Sequence, residues 1–156
     1  IFPSSMPQSH HVESDRGLER FSELAAGQYQ LPDADSAERS VLTPHWLMTA
    51  DGGACGRLED TLRAKRLRTT AGEDMRSAHL SCFAYRQPID GLRLLSTALD
   101  VAAHAGYSML FVAVTAADAA ALHGILGERI RSVAPATVFG TGLAMPGQWN
   151  INTADI

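Results

Sequence analysis

The stretch from Ser77 to Val114 restricts the fold of this chain more than any other. Ser77 to Tyr85 alternates as a strand does, placing His79, Ser81, Phe83 and Tyr85 on one face and Ala78, Leu80, Cys82 and Ala84 on the other. From Leu92 the period becomes helical. Leu92, Leu95, Leu99 and Ala102 line one stripe, Leu94, Ala98 and Val101 flank it, and Gly106 is placed to end the helix. Met109 to Val114 is then apolar on both faces, the pattern of a buried parallel strand. A strand, a crossing helix and a second strand of that kind require part of the sheet to be parallel.

Upstream the order is antiparallel. Asp51-Gly52-Gly53 separates two strand candidates, His45 to Ala50 and Ala54 to about Leu62, and glycine accepts the positive φ of a tight hairpin turn. Before them, Ser14-Asp15 offers a helix cap, with Leu18, Phe21, Leu24 and Ala25 on one helical face and Gly27 at its end. The first ten residues lack periodicity and suggest a loose arm. Leu31-Pro32-Asp33 is a break, and a short polar helix is expected around Ser36 to Val41. Arg63 to Glu73 suggests a charged, solvated loop. Thr115 caps a second crossover helix, Ala116 to Leu126, that stops at Gly127; Ala136 to Gly140 and Trp149 to Thr153 are further strand candidates. The expectation is an arm, residues 1–13, and one α/β domain, residues 14–156. Its mixed, twisted sheet has about six strands and helices on both faces.

Composition excludes several functions. With 46% apolar and 19% charged residues in 156, the chain can bury one core. A net charge of -4 argues against a nucleic-acid coat or an anionic membrane surface. No apolar run approaches the roughly 20 residues a membrane helix needs, and without a signal-peptide pattern a cytoplasmic location is expected. Two cysteines, Cys55 and Cys82, make no disulfide scaffold. Apart from His10-His11 no ligands recur at zinc spacing, so no metal is expected. Cys82 falls on the opposite face from His79, and no nucleophile-elbow glycines surround Ser81, which argues against covalent catalysis.

Arg86-Gln87-Pro88-Ile89-Asp90-Gly91, the interval from Gly91 to Gly106-Tyr107, and Ala121-Leu122-His123-Gly124-Ile125-Leu126-Gly127 carry a resemblance. In order and spacing the segment Leu80 to Gly127 resembles the second half of the GNAT superfamily, the acyl-CoA-dependent N-acyltransferases. The family's Gln/Arg-x-x-Gly-x-Gly/Ala loop corresponds to Arg86 to Gly91, with Ile89 in place of the first glycine. His123 stands where the family commonly has a tyrosine, and Glu128 where an aromatic residue follows the glycine.

The resemblance implies acyl transfer, with acetyl-CoA or another acyl-CoA as donor and a small-molecule or protein amine as acceptor. The donor would lie along Cys82, Phe83, Ala84 and Tyr85, with a main-chain N–H near Phe83 or Ala84 polarising the thioester. Its pyrophosphate would meet Arg86, Gln87, Ile89, Asp90, Gly91 and Leu92 at a helix start, where N–H groups and the helix dipole favour anions. Asp90 would repel a phosphate there, and Pro88 removes a donor; an ordinary strand-to-helix connection with Asp90 as cap is the plainer alternative. His123 would protonate the departing thiolate and His79 would take the amine proton, with Glu59 and Glu73 as rival bases. Arg63, Lys65, Arg66 and Arg68 could attract the CoA 3′-phosphate or an acidic partner, although a solvated loop explains them as well. Trp46, Phe139 and Trp149 suit core or interface packing, and Trp149 is a candidate for a homodimer contact. Two alternatives stay open: a non-catalytic acyl-binding regulatory domain, and an acyltransferase whose donor is an acyl-carrier protein.

Overall fold

The alternating run becomes the central strand of the molecule, and the helices flank it according to their apolar faces. The computed structural model describes residues 9–30, 45–60, 67–129, 133–137 and 147–155. In chain order the elements are β1 (Ser9–Val12), α1 (Ser14–Leu24), β2 (Tyr29–Gln30), β3 (His45–Thr49), β4 (Ala54–Glu59), β5 (Leu67–Arg68) and β6 (Asp74–Met75). Then follow β7 (Ser77–Tyr85), α2 (Pro88–His104), β8 (Met109–Phe111), α3 (Ala116–Leu126) and β9 (Trp149–Asn150). The main sheet has five strands in the order β1-β3-β4-β7-β8. Neighbours are antiparallel as far as β7, and β7 and β8 are parallel, so the mixed α/β architecture is as expected.

The hairpin turn is built as its residues suggest. Gly52 has φ +70, and the Asp51 carboxylate accepts from the Gly53 N–H and the Thr49 hydroxyl, each at 2.9 Å. α1 covers one face of the sheet: Phe21 and Ala25 pack with Trp46, Met48, Cys55, Cys82 and Ala84. Gly17 is the closest approach, since a Cβ there would lie 2.4 Å from the Trp46 ring. The helix therefore tilts onto its glycine, and Leu18, expected on the buried stripe, is 44% exposed. α2 covers the other face, where Leu92, Leu94, Leu95 and Ala98 join Leu47, Ala54, Leu80, Phe83 and Leu122. Burying side chains of this size is worth about 1.5–3 kcal/mol each, so these two layers hold the sheet.

Several expectations change. Ser9–Val12 is an edge strand paired with β3, not loose arm. β8 is three residues long and half-buried, because it forms an edge of the main sheet. Leu67–Arg68, within the expected solvated loop, and Asp74–Met75, just after it, form a small hairpin. Trp149–Asn150 pairs with β2 in a separate two-stranded sheet, and residues 136–137 are not strand. The proposed helix at Ser36 to Val41, Arg63 to Arg66, and Phe139 lie outside the described residues. Among the described residues no helix is long and apolar enough to cross a membrane.

Candidate active site

The strand β7 carries a fault at its centre. Cys55 pairs with Ala84 and Arg57 with Ser81, so Gly56 alone faces Cys82 and Phe83. Two residues against one is a β-bulge. Cys82 takes φ +50, the single positive φ of a non-glycine residue among the described ones. A bulge changes the phase of the alternation, and the side chains divide accordingly. Ala78 and Leu80 face α2 before the bulge, whereas Phe83 packs with the α2 layer and Cys82 and Ala84 with the α1 layer after it. The expected common face of His79, Ser81, Phe83 and Tyr85 therefore splits in two, and Cys82 joins the α1 side.

Beyond the reach of α1, that side is polar. The Ser81 hydroxyl donates to Glu59 Oε1 at 2.5 Å, and Arg57 Nε lies 3.3 Å from Glu59 Oε2. The Arg57 guanidinium sits 5.6 Å over the Trp46 ring. His79 is directly opposite Glu59 in the ladder and is 4% exposed. Its ring stacks on Phe111 with centroids 5.4 Å apart, and its Nδ1 lies 2.9 Å from Thr153 Oγ1. Of the two rival bases, Glu59 thus adjoins His79, while Glu73 is exposed in the β5–β6 turn, its N–H donating to Thr69 Oγ1. Both cysteines are buried, and burial pushes the Cys55 thiol up to about 12, the opposite of an activated nucleophile.

At the other edge of β7 the sheet parts. The β7–β8 ladder runs from Ser77↔Met109 to His79↔Phe111, while β7 continues to Tyr85 and the chain after Phe111 leaves the ladder. With β4 holding one edge and β8 departing from the other, side chains take the place of a neighbouring strand. The Cys82 N–H donates to Asn152 Oδ1 at 2.8 Å, and Asn150 Nδ2 donates to the Phe83 carbonyl at 2.8 Å.

The start of α2 differs from the expected phosphate loop. The helix begins at Pro88, so Ile89, Asp90 and Gly91 are its first turn and not a connection ahead of Leu92. Proline suits that first position because its missing N–H has no partner there. The Asp90 and Gly91 N–H groups both donate to the Gln87 carbonyl, at 2.9 and 3.3 Å. Asp90 is buried, its carboxylate 3.4 Å from Arg93 and packed under the hairpin, where a Cβ on Gly53 would lie 2.7 Å from Asp90 Cγ. Gly91 makes room for a ring: a Cβ there would lie 2.8 Å from Tyr85 Cδ1. The residue at the N-cap is Gln87, whose side chain makes no capping bond, and exposed Arg86 reaches towards Asp51, its donor 3.6 Å from the carboxylate. Leu92 is core.

α3 presents Asp118, not His123, to β7. The Tyr85 hydroxyl donates to Asp118 Oδ2 at 2.5 Å, and Thr115 caps the helix by accepting from the Asp118 N–H. Burial, then this bond, hold the Tyr85 phenol well above its usual range. Leu122 faces the core and His123 is exposed, so the two histidines named from sequence are not brought together. Arg57, Asp118, Asn150, Asn152 and Thr153 went unnoticed in the sequence. The spacing Asn150-x-Asn152 held a signal, since residues two apart in an extended segment share a face. No group of three or more His, Cys, Asp or Glu converges as a metal site among the described residues.

The sequence matches no family model and no curated protein. Solved structures of similar shape are acetyltransferases. One is from Trypanosoma brucei, with TM-score 0.54 and 11% identity over 85% of this chain and 99% of that one. An aminoglycoside acetyltransferase from an uncultured soil metagenomic sample gives TM-score 0.54 and 11% identity over 90% and 98%. Glucosamine-6-phosphate N-acetyltransferase from Arabidopsis thaliana gives TM-score 0.52 and 10% identity over 87% and 100%. Likeness at such identity establishes architecture alone: the chain has the mixed-sheet fold of the GNAT acetyltransferases.

Proposed function

We propose that the protein transfers an acyl group, acetyl in the simplest case, from an acyl-CoA to an amine. The observation that carries this reading is the parting of β8 from β7 beside the bulge, within an acetyltransferase fold. It leaves the Cys82 N–H and the Phe83 carbonyl bonded to side-chain amides, the chemistry that a pantetheine arm also offers. An acyl-CoA supplies an activated thioester, and this chain supplies the rest. Main-chain N–H groups at the bulge are the donors suited to a developing oxyanion. His79, held by Thr153 and stacked on Phe111, accepts the amine proton, with Glu59 beside it. Two groups can return a proton to the thiolate: His123, exposed on α3, and Tyr85, whose hydroxyl is bonded to Asp118. Holding both reactants in line accounts for much of the rate.

The fit to the nucleotide end is poorer than to the arm. Pro88 has no N–H, those of Asp90 and Gly91 turn to Gln87, and Gly91 faces Tyr85, which leaves Arg86, Gln87 and the Ile89 N–H as the groups to hold a pyrophosphate. That observation favours a second reading, in which the donor is a pantetheine arm on an acidic carrier protein. Calorimetry with acetyl-CoA and with acetyl-pantetheine separates the two, followed by thiol release on adding polyamine, aminoglycoside and peptide amines. Tighter binding of acetyl-CoA, with amine-dependent thiol release, supports the first reading. Equal binding of both moves the assignment to the carrier protein. Heat from neither leaves a regulatory domain and overturns transfer.

A further inference from the structure

The segment from Gly147 to Asp155 crosses the opening beside β7 without joining its ladder. One end is anchored on β2, where Tyr29 N–H donates to the Gln148 carbonyl at 2.8 Å and the Tyr29 and Trp149 rings lie 5.2 Å apart. At the other end Thr153 meets His79 and donates to the Phe111 carbonyl at 3.4 Å, and Ala154 is buried. Between these anchors the two amide side chains hold the bulge, one as acceptor from Cys82 N–H and one as donor to Phe83 C=O. One strap thus touches both the edge where a donor arm would lie and the histidine assigned as base.

We propose that Asn150 and Asn152 form a displaceable plug, an internal mimic of the donor's amides, which the pantetheine arm must replace on β7. The proposal rests on the reading that an acyl-pantetheine donor lies along this edge. The chemistry is matched, since a primary amide offers the same N–H and C=O as the secondary amides of pantetheine. Replacement is also inexpensive in bonds: each lost contact is remade by the ligand, so the exchange is nearly balanced. A segment held by a two-residue ladder and a few side-chain bonds belongs to the least stable parts of a fold, the parts that open first. Displacing the strap also withdraws Thr153 Oγ1 from His79 Nδ1, so that donor binding and the assigned base are coupled through one segment.

A site open for a fraction of the time binds with its intrinsic dissociation constant divided by that fraction. The double variant Asn150→Ala/Asn152→Ala removes the plug, so acetyl-pantetheine, titrated into the full chain by calorimetry, is expected to bind about tenfold tighter. Affinity unchanged or weaker makes the asparagines a clamp that supports the site, and overturns the proposal. A second measurement uses the wild-type chain, should the variant fold poorly: the side-chain NH2 resonances of Asn150 and Asn152 on saturation with acetyl-pantetheine. Both are expected to shift, and the Asn150 NH2, the one that donates to the Phe83 carbonyl, to lose exchange protection. Donor binding that leaves them unmoved overturns the plug while the transfer reading stands. Absence of donor binding to wild type and variant alike, with Cys82 amide exchange accelerated in the variant, overturns the transfer reading and the plug with it.

Discussion

Replacing Asp90 by asparagine distinguishes a carboxylate that faces a phosphate from one that supports the fold. The side chain sits in the first turn of α2, 10% exposed, 3.4 Å from Arg93 and packed beneath Gly53. Asparagine has almost the same shape, so no cavity opens. What is lost is the interaction of a negative charge with the helix dipole, about 0.3–1 kcal/mol, and the charge on a largely buried contact whose asparagine oxygen can still accept from Arg93, about 1 kcal/mol. Stability should fall by about 1–2 kcal/mol. Had the carboxylate pointed at a pyrophosphate about 6 Å away, the Coulomb term per phosphate charge would be about 0.7 kcal/mol in water and about 2.8 kcal/mol at an effective dielectric of 20. With two such charges, removing the repulsion would tighten binding at least tenfold. The observed orientation forecasts the other result: urea unfolding shows the loss, and calorimetry with acetyl-CoA shows a dissociation constant within about twofold of wild type. A tenfold gain in affinity at unchanged stability would refute the inward placement and restore Asp90 to the phosphate side.

Two further outcomes test the chemistry and the packing. Of the two proton donors, Tyr85→Phe is expected to lower turnover by about tenfold or more, within the range of a lost general acid. His123→Ala and His123→Tyr should leave the rate within about threefold, and a larger fall in both would give the role to His123. The second concerns alkali: the folded Cys55 thiol titrates at about 12 against an ordinary 9.0, and the Tyr85 phenol is raised too. The unfolded chain releases these protons first, so stability is full below about pH 9 and falls as pH rises towards 12, by about 1.4 kcal/mol per pH unit for the thiol. Urea midpoints measured from pH 8.5 to 11 should decline, less steeply in Cys55→Ala; a flat profile would mean that the thiol is not buried as described.

Elements whose signals are local were legible. Thr115 and Gly127 bound α3, Asp51-Gly52-Gly53 turns the first hairpin, and Gly106 with φ +86 ends α2. What escaped depends on contacts distant in the chain. Leu18 satisfies the helical spacing yet is exposed, because Gly17 lets α1 lie against Trp46. Pro88 opens α2 one turn early, since the packing of Asp90 under Gly53 and of Tyr85 on Gly91 makes that turn helical. The residues of the site were half legible. His79 and the stretch Cys82 to Tyr85 stand where the opening is, but their facing was misread, because nothing in the alternation of β7 marks the extra residue that its pairing with β4 leaves at Cys82 and Phe83.

That bulge connects the separate features of the site. A non-glycine residue held in the left-handed region costs about 1–2 kcal/mol, and glycine at position 82 would avoid it. Cysteine has a reason to be there: its side chain fills the α1 layer beside Phe21, Trp46 and Cys55, a contact that glycine lacks. The strain is contained on both sides, by ladder pairs at Ser81 and Ala84 and by the Asn152 oxygen on the Cys82 N–H. The same deviation turns Phe83 and Tyr85 towards α2, so that Tyr85 reaches Asp118, while His79 and Ser81 stay with Glu59. An unbulged β7 would place all four on one face and present a straight edge to β8. Groups on both sides of the sheet could then no longer serve one opening, so the acid–base division proposed for this protein depends on the backbone of a single cysteine.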